Sequence, residues 1–347
     1  MITLGDICSN ASSSIKQSDL SNSEGNYPVY GASGFIKNID FYTQERPYVG
    51  IVKDGAGVGR VMKLPAYSSV IGTMQYILPN DGVDVSYLAY AMEHMNLAKY
   101  YSGATIPHIY FKDYKHEQLK EHDANEQQSI AETLEKVDRL ISLRKQQLAK
   151  LDELIKARFV EMFGDPVSNP LGLPVKKLSE LGSLDRGRSQ HRPRNAPELL
   201  GGPYPLIQTG EVTTADLYIT EFNNTYSELG LKQSKMWKAG TLCITIAANI
   251  AQTAILTFDA CFPDSVVGFV SGKDTSALYM HYWFCFFQKI LEEQAPQVAQ
   301  KNINLKILSD LNVLVPARDQ INAFDFLLPR FLIQKPSCNN RSTSWKR

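Results

Sequence analysis

Four arginines within ten residues form the group best equipped for chemistry: Arg186-Gly187-Arg188-Ser189-Gln190-His191-Arg192-Pro193-Arg194-Asn195. A guanidinium is a rigid fork of donors that pairs in bidentate fashion with guanine or clamps a phosphate, and a carboxamide suits adenine. Arg186, Arg188, Gln190, His191, Arg192 and Arg194 are therefore candidates for nucleic-acid contact, against the plainer reading of a solvated basic loop. In the first half Ser12-Ser13-Ser14-Ile15-Lys16-Gln17 takes the equivalent place with far less charge, offering Lys16 and Gln17. Two more polar loops match between the halves, one with Thr105 and His108, the other with Gln300, Lys301 and Asn302. They are further candidate readers, although caps and turns use the same residue types.

Other chemistry finds little support. Gly55-Ala56-Gly57-Val58-Gly59 is not GxGxxG and no Lys-Ser/Thr follows it, so it reads as a tight turn between strands rather than a phosphate cradle. No Walker motif, GxSxG elbow or HExxH occurs, nor does the tetrapeptide with which amino-methyltransferases hold a flipped adenine. Pro263-Asp264 matches the start of a nuclease motif, but no acid-x-Lys follows at a usable distance. Cys8, Cys243, Cys261, Cys285 and Cys338 form no CxxC pair and suit reduced thiols. His108 and His116 lack a zinc spacing, so no metal site is expected.

The whole chain bounds these readings. Its 347 residues suffice for about two domains. No apolar run reaches the roughly 18 residues of a membrane span, and the N-terminus lacks the pattern of a signal peptide, so a cytoplasmic protein is expected. Net charge is zero. A free-standing nucleic-acid binder usually carries a basic surplus, so any phosphate-facing patch must be local or completed by a partner.

The elements that must position these residues occur twice. Ile2 to Ile7 matches Lys177 to Gly182, and Tyr27-Pro28-Val29-Tyr30 matches Tyr204-Pro205-Leu206-Ile207. Strand-like runs follow at Tyr48 to Val52, Val70 to Leu78, Leu242 to Ile246 and Ser265 to Val270. Helical stretches at Val85 to Tyr101 and Ala277 to Gln294 come next, and each half closes on a short apolar element. The aromatic run Tyr282 to Phe287 suits a buried helix rather than a base-stacking platform. The mixed order predicts an α+β class with two similar domains, 1–123 and 165–317. Between them, Asn125 to Phe163 contains no Gly or Pro, and Ile130, Leu134, Val137, Ile141, Leu148, Leu151 and Ile155 recur at heptad spacing. This predicts a long coiled-coil-type helix over 124–164, stopped by Gly164-Asp165-Pro166, with a seam that needs a partner. A solvated interdomain spacer is the bland alternative.

These features resemble the specificity subunit of a Type I restriction–modification system over nearly the whole chain. The carriers are Glu126-Gln127-Gln128-Ser129-Ile130-Ala131, the leucines after it, Met162-Phe163-Gly164-Asp165-Pro166, and Asn302-Ile303-Asn304-Leu305. The resemblance implies two target-recognition domains that each read half of a bipartite site in double-stranded DNA, and helices that set the unread spacing. It implies methyltransferase subunits on the helices and translocating nuclease subunits for restriction. No cofactor is expected on this chain; S-adenosylmethionine, ATP and Mg belong to those partners. The subunit itself is then non-catalytic. A scaffold whose repeats bind protein, or an enzyme with an unfamiliar site, are the alternatives.

The family's second long helix should follow Pro316, yet the segment 318–347 is short and divergent, with two prolines and no heptad after Phe326. Leu327 to Arg347 is expected to be a frame-shifted version of that helix, disordered or irregularly packed. The central seam would then be exposed and open to self-association through Ile130 to Ile155.

Overall fold

β-branched and aromatic runs form the strands, and they do so in the same order in each half. The computed structural model describes residues 1–21, 23–103, 106–246, 250–287, 290 and 303–332, which divide into two units, Met1–Lys145 and Gln146–Arg347. The first unit contains β1 (Ile2–Thr3), β2 (Cys8–Ser12), β3 (Tyr27–Gly31), β4 (Gly34–Ile39), β5 (Tyr48–Val52), β6 (Val61–Leu64), β7 (Ser69–Val70), β8 (Met74–Pro79) and β9 (Gln118–Leu119). An antiparallel main sheet has the order β2-β8-β5-β6. In a smaller sheet β3 pairs antiparallel with β4 and parallel with β7, while β1 pairs with β9.

The second unit repeats the plan with β10 (Val175–Lys177), β11 (Gly182–Arg186), β12 (Leu200–Leu206), β13 (Tyr218–Ile219), β14 (Asn224–Tyr226), β15 (Met236–Trp237), β16 (Leu242–Thr245), β17 (Thr253–Leu256), β18 (Ala260–Cys261), β19 (Val266–Ser271) and β20 (Asn312–Leu314). Its main sheet runs β11-β19-β16-β17, with β13 added parallel to β17. β12 pairs antiparallel with β14 and parallel with β18, and β10 pairs with β20. The two Tyr-Pro steps occupy equivalent places. Val29 pairs with Ser69, and Leu206 with Cys261, each in the parallel sense.

Two expected elements are broken, each for a local reason. Val70 to Leu78 is not one strand: the chain leaves the small sheet at Val70, turns through Ile71-Gly72-Thr73, and enters the main sheet at Met74. Met74 N donates to Ile71 O across that turn at 2.9 Å. Val85 to Tyr101 divides into α1 (Val85–His94) and a 3-10 turn, Leu97–Tyr100, because Asn96 takes a left-handed φ of 50°. The part of Ala277 to Gln294 beyond Phe287, Ile290 apart, lies outside the described residues.

The central helix, α2 (Ala124–Phe163), runs for 40 residues, about 60 Å at 1.5 Å per residue. Asp123 caps it: its carboxylate accepts from Glu126 N at 2.9 Å, and Glu126 accepts in return from Asp123 N at 3.2 Å. At its other end Gly164 adopts φ 75°, the left-handed turn that glycine tolerates. The early turns of α2 dock on the first unit. Lys63 and Ser86 donate to Glu135 at 2.5 and 2.7 Å, and Tyr90 donates to Asp138 at 2.7 Å. The last turns belong to the second core, where Ile155, Phe159 and Phe163 are buried with α3 (Ala277–Phe284). Of the proposed seam, Ile130 packs partly on the first core and Ile155 is buried in the second. Leu134, Val137 and Ile141 are exposed, and Leu148 and Leu151 are half-buried. The stripe therefore serves the two cores at its ends and is bare in between.

The tail corrects one expectation. Residues Leu327 to Leu332 are neither disordered nor irregular; they continue α4 (Arg318–Leu332). Ile321, Phe324 and Leu328 fall on one helical face and are buried in the core that holds Phe159. That face, rather than a heptad, is what holds the segment in place. Residues 333–347, with Cys338, lie outside the described residues. The aromatic run behaves as core: Tyr282, Trp283, Phe284 and Phe287 are all buried. Cys8, Cys243 and Cys261 are buried free thiols, and burial pushes Cys8 up to about 12.

Phe159 is the hinge pin of the second core, with ring centroids 5.0 Å from Phe163, 5.3 Å from Tyr279 and 5.7 Å from Phe324. Phe159→Ala should lower the unfolding free energy of the full chain by roughly 3–5 kcal/mol in urea titrations. A loss below about 1 kcal/mol would show that the helix is not anchored there.

Candidate nucleic-acid interface

In both units the strand that opens the main sheet runs out into a loop that crosses the turn between the two sheets. In the second unit this loop continues β11. Gly187 N donates to Val266 O at 2.9 Å, and Arg188 N to Phe262 O at 3.1 Å. Only glycine fits at 187, since a Cβ there would lie 2.3 Å from Pro263 O. Extended backbone then alternates its side chains. Gly187 and Ser189 are buried, while Arg186, Arg188 and Gln190 are exposed, as are Arg192 and Arg194 further on; His191 is half-buried.

Neighbouring segments hold this loop from two sides. Gln233 Oε1 accepts from Gln190 N at 2.7 Å and from His191 N at 3.1 Å, and Ser234 Oγ donates to Arg188 O at 2.9 Å. Lys235 bridges to Asp185 at 2.9 Å while its ammonium lies 3.9 Å from the centroid of the Trp237 ring. On the other side three arginines converge on Asp264. Arg194 Nη2 is 2.6 Å from Oδ1, Arg192 Nη2 is 3.7 Å from Oδ2, and Arg186 Nε donates to the Asp264 backbone carbonyl. Arg192 Nη1 also donates to Ser189 O and His191 O, at 2.5 and 2.8 Å. Among the described residues, the Arg188 side chain has neither a hydrogen bond nor an ion pair; its charge acts on Asp185. Four arginines thus lie among two carboxylates, Asp264 and Asp185, a local basic patch in a chain of zero net charge.

The first unit builds the same edge with different chemistry. Ser13 Oγ donates to Val70 O at 2.5 Å, and Gly72 N to Ile15 O at 2.8 Å, so the loop crosses the 71–73 turn and leaves Lys16 and Gln17 exposed. Lys53 N and Asp54 N both donate to Thr73 O, Ile109 N donates to Lys53 O, and Gly55 N donates to Pro107 O. These bonds stitch the glycine turn and the His108 loop to that edge. His108 Nδ1 lies 2.7 Å from Asp54, which also pairs with Lys53. Burial pushes the Asp54 carboxyl up, but the hydrogen bonds and charges of His108 and Lys53 outweigh it and hold it below the ordinary range. Thr105, Gln300, Lys301 and Asn302 lie outside the described residues.

Sequence reasoning missed the residues that hold the loops: Asp185, Gln233, Ser234, Lys235 and Asp264 in one unit, Lys53 and Asp54 in the other. In the sequence Pro263-Asp264 reads only as the start of a nuclease motif. Among the described residues no group of three or more His, Cys, Asp or Glu side chains is placed to hold a metal ion. No helix among them is long and apolar enough to cross a membrane.

Each unit thus offers a polar loop beside the edge strand of its main sheet. The Type I restriction modification DNA specificity domain matches residues 1–153 and again 170–328, and the chain belongs to that family. In fold it is similar to the Type I restriction–modification S subunit from M. genitalium, with a TM-score of 0.59 at 15% identity, covering 96% of this chain and 90% of that one. A chain from a structure describing complex assembly and conformational transition of the type I restriction–modification system gives a TM-score of 0.52 at 15% identity, covering 96% and 91%. No curated protein matches the chain in sequence.

The Asp185–Lys235 pair makes the loop's anchorage pH-dependent. The hydrogen bond from Lys235 is the main cause that holds Asp185 below the usual carboxylate range, against a smaller effect of burial. A carboxyl with a depressed folded pKa contributes stability that is present above its unfolded pKa and lost as pH falls through the folded value. Asp185→Asn should therefore lose less stability than wild type between neutral pH and about pH 3, as read by urea midpoints. Identical acid dependence in the two proteins would refute the linkage.

Proposed function

We propose that the chain is the DNA-reading subunit of a Type I restriction–modification complex, with each unit reading one half of a bipartite duplex site. The observation that carries this is the repeated loop-over-turn edge, with Arg186 to Arg194 on one copy and Lys16, Gln17 and His108 on the other. An exposed loop with a buried, hydrogen-bonded backbone holds its side chains in a fixed register, which base reading requires. The length of α2 would set the separation of the two half-sites, on this reading, and so the unread spacer.

The subunit would do no chemistry itself. Methyl transfer would belong to partner methyltransferase subunits carrying S-adenosylmethionine. Cleavage would belong to translocating nuclease subunits using ATP and Mg. The bare stretch of α2 supports the need for protein partners: Val137 is 46% exposed and Leu140 65%. A second copy of the chain could cover the same stripe. A pure protein scaffold would need partners too, but not a surplus of arginines on one sheet edge.

Fluorescence anisotropy with labelled duplexes over a salt series tests the reading. Binding should be sequence-selective and weaken as salt rises. Arg188→Ala should cost about 1–3 kcal/mol on the preferred duplex and relax choice at one position if Arg188 reads a base. An equal loss on every duplex with a shallower salt slope would make it a phosphate contact. No loss on any duplex would take the loop out of the interface.

A further inference from the structure

The arginines of the second-unit loop are not all free to meet a ligand. Three of the four are engaged at Asp264, two through its carboxylate and one through its carbonyl. The carboxylate is only 29% exposed, and Oδ1 is buried with no well-aligned hydrogen bond, so its Arg194 contact at 2.6 Å is essentially ionic. A pair of this kind is held by charge, and another anion can replace it. Arg188, which lacks such a contact, points outward from the same loop. The corresponding turn of the first unit, Val70-Ile71-Gly72-Thr73-Met74, has no carboxylate, and the loop above it has no arginine. Clasp and arginines occur together in the second unit.

We propose that Asp264 is a specificity gate: a built-in anion that occupies Arg192 and Arg194 in the free protein and yields them only where a duplex fits the loop well enough to replace it. The inference rests on the DNA-reading function. Arbitrary DNA offers phosphate to arginines that are already neutralised and meets the carboxylate's own repulsion. A matching site adds base contacts through Arg188 and Gln190, and these offset the loss of the clasp. Asp264 is thus a positioning residue that raises discrimination by suppressing indiscriminate phosphate binding, rather than by touching a base.

The test uses the full-length chain, wild type against Asp264→Asn and Asp264→Glu, with an arbitrary duplex, the preferred duplex and heparin as probes. Asp264→Asn should bind arbitrary duplex and heparin about fivefold more tightly at low salt, the effect of removing one charge that faces an anion across a water-like dielectric. Its preference for the matched duplex should fall by a similar factor. A fourfold rise in salt should erode the gain about 3.5-fold for each newly contacted phosphate, on a slope of about 0.9 per phosphate. Asp264→Glu restores the charge and should return all three readouts toward wild type, which separates gating from loss of fold. Heparin carries no bases, so it separates the gate from the DNA reading. A gain on heparin when neither protein binds duplex would keep the gate and remove the DNA reading. Wild-type duplex binding with no gain on either anion in Asp264→Asn, or equal gains in Asp264→Asn and Asp264→Glu, would overturn the gate.

Discussion

One uninterrupted helix has to belong to two hydrophobic cores at once, and most of the architecture follows from that constraint. The first turns of α2 are bound by polar contacts to Glu135 and Asp138 and by the packing of Ile130 and Ala131. Its last turns are bound by aromatic packing around Phe159 and Phe163. Neither attachment covers the middle. A helix of this length gains little from propensity alone and draws most of its stability from the faces it buries. An apolar stripe left bare between two anchored ends is consistent with a surface that another chain completes. It also accounts for a sequence pattern that looked like one continuous seam. Three uses, two intramolecular and one open, share a single periodicity.

The second organising feature is the turn at which the chain passes from the small sheet to the main sheet. In each unit the loop after the first main-sheet strand crosses that turn and is fixed to it through backbone hydrogen bonds, so the loop can vary in sequence while its path does not. Ser13 and Lys16 on one copy and Arg186 to Arg194 on the other are therefore different chemical texts on one frame.

Much of this was legible in the residues. The helix span, the repeated Tyr-Pro steps and the strands at Tyr48 and Leu242 rest on local signals: a heptad with a Gly-Asp-Pro stop, and runs of β-branched residues. The sheet switch at Ile71 to Thr73 was not legible, because each side of the turn looks like strand and only tertiary pairing separates them. The helical tail was missed because Pro329 and the absence of a heptad argue against a coiled coil, whereas the segment is held by Ile321, Phe324 and Leu328 on one face. Asp264 and Gln233 were invisible as site residues, since they lie 78 and 43 positions from the arginine loop residues they bind. Composition can flag a basic loop, but not the carboxylate that restrains it.

On the proposed function, two units on one helix read two separate stretches of duplex. Selection of bound sequences from a randomised duplex pool by the full-length chain tests it most directly. The enriched motif should consist of two short specified blocks divided by a gap of fixed length and free sequence. A single contiguous block, or two blocks at variable separation, would contradict it.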